Sequence, residues 1–174
     1  MSRLLVLPVA AACSLLTACA DAPPSVPGKV PAGLAVPAGS GQHLELLATG
    51  VQIYVCTKKA DASYEWVFKA PEATLTSRSG APAGKHYAGP TWEAPDGSAV
   101  VGEVRARDPG PTASAIPWLL LAAQSNRGQG VFASTKYVQR LETVAGLAPA
   151  TACGDANLNA EARVPYTATY TFFR

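Results

Sequence analysis

Charge is scarce in this chain, and chemistry-bearing side chains are scarcer. Asp, Glu, Lys and Arg supply only 15% of the 174 residues, and His43 and His86 are the only histidines. Lys58-Lys59 is the one adjacent basic pair, so the clustered Lys and Arg that mark nucleic-acid binders are missing. With two histidines and no C-x-x-C pair, there is no ligand set for a zinc site, and no metal is expected. No G-x-S-x-G elbow, H-E-x-x-H helix or G-x-x-x-x-G-K-[ST] loop occurs, which removes the motif-bearing hydrolases, zincins and phosphate-loop enzymes. Gly39-Ser40-Gly41 does not make a dinucleotide loop, because position 44 is Leu and no strand precedes it. No cofactor and no catalytic residue is therefore assigned. Nor is there a long hydrophobic run: the stretch Leu4–Leu16, about 13 residues broken by Pro8 and Ser14, is short of the ~20 that span a bilayer as a helix.

That short apolar stretch is informative in another way. Arg3, the run to Leu16 and the small residues after it have the three parts of a signal peptide. Leu16-Thr17-Ala18-Cys19 resembles the lipobox of bacterial lipoproteins. The resemblance implies removal of residues 1–18, lipidation of Cys19 and attachment to a membrane through acyl chains, each buried methylene contributing about 0.8 kcal/mol. Ala20, rather than Asp, follows the cysteine, which resembles lipoproteins sent on to the outer membrane, facing the periplasm or the exterior. The leader holds Arg3, one of 14 basic residues, so the processed chain would carry 13 basic against 12 acidic groups. Cys13 would leave with the leader and Cys19 would carry lipid. Two cysteines then remain in an oxidising compartment, and Cys56 and Cys153 are expected to pair, the alternative being two separate buried thiols.

Residues 19–41 are dense in Pro, Ala and Gly and read as a tether holding the rest off the membrane. Residues 42–174 read as a single all-β domain, a sandwich or small barrel of about eight short strands. The candidate strands are 43–48, 51–57, 64–69, 73–77, 98–106, 118–124, 131–142 and 164–173. In the last, Val164, Tyr166, Ala168, Tyr170 and Phe172 share one face, and Thr167, Thr169 and Thr171 point the other way as an exposed face. Turn chemistry falls at Lys59–Ala62, Ser79-Gly80, Pro95-Asp96-Gly97 and Ser125–Gly128. Ile116–Ala123 is apolar throughout. Pro117 suits the first turn of a helix, but the length and flanking turns favour a strand buried on both faces.

Potential site residues concentrate in Gly84–Ser98. His86, Tyr87, Trp92 and Asp96 are the candidate ligand-binding set, with Glu93 beside them, and loops on a rigid β scaffold often carry function. The structural alternative assigns Trp92 to the core and His86 to a backbone partner. Arg105, Arg107, Asp108 and Arg140 read as solvated strand charges, the alternative being a cluster around an anionic ligand.

Over Val51–Cys56, Trp66–Ala73, His86–Trp92 with Asp96–Ser98, Ile116–Leu120, Gln139–Thr143 and Val164–Ala168, the chain resembles the exported domain-of-unknown-function family 3455. That resemblance spans nearly all of 42–174. It implies a secreted β-rich fold and brings no catalytic residue or substrate with it. Tyr54-Val55-Cys56 also resembles the Tyr-x-Cys strand of membrane-bound inhibitors of C-type lysozyme, small lipoproteins with a β-barrel and a disulfide to a late cysteine. Their basic inhibitory loop has no residue-by-residue match here. The sequence thus points to a lipid-anchored, non-enzymatic binding or structural module with a small-molecule, glycan or protein ligand. The rival is a hydrolase or isomerase built on His86 with Asp96 or Glu93 as its orienting acid.

Overall fold

Eight antiparallel strands follow one another around a closed barrel, with the last hydrogen-bonded to the first. They are β1 (Gln42–Lys58), β2 (Tyr64–Thr76), β3 (Pro82–Tyr87), β4 (Thr91–Glu93), β5 (Ala99–Asp108), β6 (Trp118–Arg127), β7 (Tyr137–Ala145) and β8 (Glu161–Phe173). The structure, a computed structural model, describes residues 29–174, so the proposed leader and Cys19 lie outside the described residues. The all-β expectation holds, in its barrel form.

Several predicted strands fuse. The gap between the candidate strands 43–48 and 51–57 closes, and β1 runs straight through Thr49-Gly50. Gly50 marks a close crossing: a Cβ there would lie 2.1 Å from the Glu72 carbonyl oxygen and 2.4 Å from Ala73 Cα. Ala70-Pro71 does not break β2 either, because β2 pairs with β3 only from Ala73 onward and Pro71 needs no hydrogen bond on that side. The sequence reading had no strand at β3 or β4, whose residues are hidden among turn formers. It also placed a turn at Ser125–Gly128 and a strand from Val131. Instead β6 continues to Arg127, and residues 128–136 form a loop that inserts Phe132, fully buried, into one end of the barrel. Asp96 and Ser98 hold that plug by accepting from the backbone N–H groups of Val131 and Phe132 at 3.0 and 3.1 Å.

The apolar run in β6 is a strand, buried on both faces as its composition demands. Leu119 and Leu121 face the barrel core with Leu46, Val100, Val138 and Phe172. Trp118 and Leu120 face outward, where the chain before β1 covers them. Val30, Leu34 and Val36 pack there with Leu141, and Gln139 donates to the Leu34 carbonyl at 2.6 Å. This corrects the tether reading at its domain end. Residues 30–36 are a strap on the barrel wall rather than a spacer, and Leu34, fully buried, alone contributes about 2 kcal/mol. Thr169 and Thr171 are corrected too. Thr167 is exposed, but those two are buried on the outer face, near Val30 and Leu141, with the Thr169 hydroxyl donating to Glu142 at 2.8 Å.

Cys56 and Cys153 are disulfide-bonded with Cα atoms 5.5 Å apart. The bond fastens the long β7–β8 connection to the far end of β1. Trp66 Nε1, donating to the Thr151 carbonyl at 3.0 Å, and Tyr64, bonded to Asp155, hold the same connection.

Candidate ligand-binding cavity

The two ends of the barrel are built differently. At the Phe132 end, Phe132 and Phe172 pack with ring centroids 4.9 Å apart and the interior is full. At the other end the wall is incomplete. β3 and β4 turn back at Ala88–Pro90, so beyond Ala73 on β2, and beyond the Gly102 N–H bond to the Pro90 carbonyl on β5, neither strand has a partner strand on that side. A cavity of about 380 Å³ opens through this gap, within the roughly 300–1,000 Å³ usual for small-molecule sites. Its lip includes Phe68, Pro71, Gly89, Pro90 and Arg107, and its wall includes Gln52, Tyr54, Leu119 and Arg140.

The floor is aromatic. His86 and Trp92, paired across β3 and β4, stack with centroids 4.5 Å apart and planes 14° from parallel. Tyr170 from β8 meets the Trp92 ring edge-on at 5.2 Å. Room for the indole exists because residue 102 is glycine: a Cβ there would stand 2.9 Å from Trp92 Cζ3 and 3.1 Å from Leu121 Cδ2.

His86 is only 2% exposed and uses Nδ1 to donate to the Thr91 carbonyl at 2.9 Å. Burial drives its pKa down to about 3; the Thr91 bond opposes the shift and the Arg140 charge adds to it. The ring is therefore neutral at ordinary pH. Burial likewise raises the Tyr54, Tyr166 and Tyr170 hydroxyls, which stay protonated.

Two of the four candidate site residues from the sequence meet in this cavity and two do not. His86 and Trp92 face inward. Tyr87, one residue on, faces out and donates to Glu93 at 2.7 Å, where Lys85 and Arg127 also pair with that carboxylate. Asp96 closes the β4–β5 turn, accepting from the Ser98 N–H at 2.8 Å. Alternation decides this: neighbours in a strand point to opposite faces, so the compact sequence cluster is split by the wall. Glu93 and Asp96 are each committed elsewhere, and neither is bonded to His86. The geometry does not build a His–carboxylate pair.

Sequence reasoning missed Gln52, Tyr54 and Tyr170 as site residues and misplaced Arg140. Arg140 lies on the inward face of β7 with Val138, and its Nε and Nη2 donate to the Pro117 carbonyl at 3.1 and 2.8 Å. A single Arg between Gln139 and Leu141 gives no directional signal, because both faces of β7 are covered. Arg105, by contrast, is a surface charge paired with Glu103, as expected.

Four polar atoms at or beneath the floor, Gln52 Nε2, Trp92 Nε1, Tyr166 Oη and Tyr170 Oη, are buried without a hydrogen-bond partner. Tyr166 lies close to Gln52 and Tyr170, and Tyr170 close to Arg140, near enough to affect one another's protonation, so these groups form one polar cluster. All four can donate, and no Asp or Glu lines the cavity.

Fold and cavity together define a class: an up-and-down eight-stranded barrel, plugged at one end and open to a donor-lined, aromatic-floored cup at the other. The chain matches the family model described as a protein of unknown function, DUF3455, over residues 37–83 and 77–174, and it belongs to that family. No curated protein and no solved structure matches it.

Proposed function

We propose that this protein is a lipid-anchored binding protein of the cell envelope whose barrel cup holds one small molecule. The observation that carries the reading is the preformed cavity itself, about 380 Å³ and open through the gap in the wall, with Arg140 in its lining and no acidic residue there. Its lining is largely apolar and aromatic with a few polar side chains, Gln52, Tyr54 and Arg140 among them, which is the composition of a small-molecule site. Neutral His86 serves as a flat platform there. A catalytic role has no support from the geometry, since the carboxylates that would orient the ring lie outside the barrel.

Native mass spectrometry on the full chain, purified with Cys19→Ala to avoid detergent, should show a bound small molecule or a 1:1 adduct with an added aromatic compound. Trp92→Ala, which removes the floor, should abolish the adduct. A wild-type cavity that takes up no member of a diverse small-molecule panel would reject the reading.

The anchor has a separate test. The wild-type chain expressed in a lipoprotein-processing bacterium should label with palmitate and fractionate with membranes, and Cys19→Ala should do neither. Membrane retention of an unlabelled Cys19→Ala chain would show that something other than lipid holds it.

A further inference from the structure

The cavity wall carries one guanidinium that no carboxylate among the described residues balances. Arg140 faces the cavity, and no ion pair among the described residues includes it. Its Nε and Nη2 donate to the Pro117 carbonyl, which fixes the guanidinium in place beside the Tyr170 hydroxyl, with five N–H donors in all and so some to spare for a ligand. Arg107 at the lip is also outside every ion pair, whereas Lys69 nearby is held by Glu161. A fixed, partly exposed guanidinium beside apolar and aromatic walls, with no carboxylate lining the space, is a favourable arrangement for an anion.

We infer that the cup takes a small aromatic carboxylate, its carboxylate on Arg140 and its ring against the His86–Trp92–Tyr170 floor. This rests on the reading of the cup as a binding site and adds the chemical class of the ligand. The anion follows from Arg140 and the absence of acidic lining. The ring follows from the stacked floor and from Phe68 and Tyr54, which meet edge-on at 5.7 Å on the approach to it.

Isothermal titration of the full Cys19→Ala chain with 2-naphthoate, methyl 2-naphthoate and decanoate separates these components. Naphthoate should bind at least about tenfold more tightly than its neutral ester, since hydrogen bonds to a charged group are the strong ones. Decanoate, with the same charge and no ring, should be weaker than naphthoate by a similar factor. Arg140→Gln should bring naphthoate and ester to equal affinity. Arg140→Lys keeps the charge and should preserve the preference in part, and it serves if the Gln variant does not fold. Equal binding of naphthoate and ester by the wild type would overturn the anion, with the cup still a receptor. Decanoate equal to naphthoate would overturn the ring. Failure of all three to bind would overturn the aromatic carboxylate as the ligand class, while the receptor reading stands or falls with the small-molecule panel. An undiminished naphthoate preference in Arg140→Gln would transfer the charge recognition away from Arg140 and so reject the assignment.

Discussion

Replacing Cys56 and Cys153 together by Ser should lower the unfolding free energy by about 3–5 kcal/mol. The bond joins residues 97 apart in sequence, and the chain-entropy account puts a loop of that size near the top of the disulfide range, at about 4.7 kcal/mol. The native side adds to this. The bridge is the covalent hold on the β7–β8 connection, which otherwise depends on exposed contacts such as Trp66 to Thr151 and Tyr64 to Asp155. Urea unfolding of the wild type and the double variant, at one pH and without reductant, measures the difference. The m-value should rise as well, because the unbridged chain exposes more surface when it unfolds. A loss below ~1 kcal/mol would mean that those contacts, and the pairing of β8 with β1, already restrain the connection.

Acidification should destabilise the barrel before its carboxylates titrate. Below pH 6.5 the unfolded chain takes up a proton at His86 that the folded chain, with a pKa near 3, refuses. The unfolded state is thereby favoured by roughly 1.4 kcal/mol per pH unit, so stability falls by about 2–3 kcal/mol between pH 6.5 and 4.5. Asp96, held low chiefly by the Ser98 hydroxyl, loses its contribution only below the unfolded value of 3.8, and Glu93 and Glu161, held low chiefly by the Tyr87 hydroxyl and by Lys69, begin to lose theirs only at the acid edge of the window, near 4.5. His43, lowered by burial and by Arg174, acts in the same sense as His86, so the variant comparison matters. His86→Phe preserves a ring on Trp92. It should cost about 1–3 kcal/mol at pH 7 for the orphaned Thr91 carbonyl, and should flatten the pH 6.5–4.5 slope. Parallel stability lines for wild type and His86→Phe across that window would show that the buried ring is protonated in the fold.

The contrast between these two residues shows what was legible. Cys56 and Cys153 are paired by arithmetic and by the expected compartment, without any knowledge of where the strands lie. The all-β class, the inward face of β8 and the turns at Lys59, Ser79 and Asp96 also follow from local chemistry, since alternation and turn residues act over a few positions. β6 was legible as a strand buried on both sides. That its outer face is covered by Val30, Leu34 and Val36 was not, because sparse apolar residues in a Pro-rich stretch look like a spacer until there is a groove to receive them.

The cup lay beyond sequence reasoning altogether. Its floor draws on β3, β4 and β8, and Arg140 on β7 reaches it only because barrel closure brings β7 and β8 round to β1. The sequence cluster at Gly84–Ser98 looked like a site because its residues are near one another along the chain. In the fold the strand wall sends His86 and Trp92 one way and Tyr87 and Glu93 the other. Composition, cysteine count and period-two patterning thus determined the class of this protein and its bridge. Closure of the sheet, an interaction between residues more than a hundred positions apart, decided which side chains share a cavity and set Arg140 among them, with no carboxylate of the described residues to pair with it.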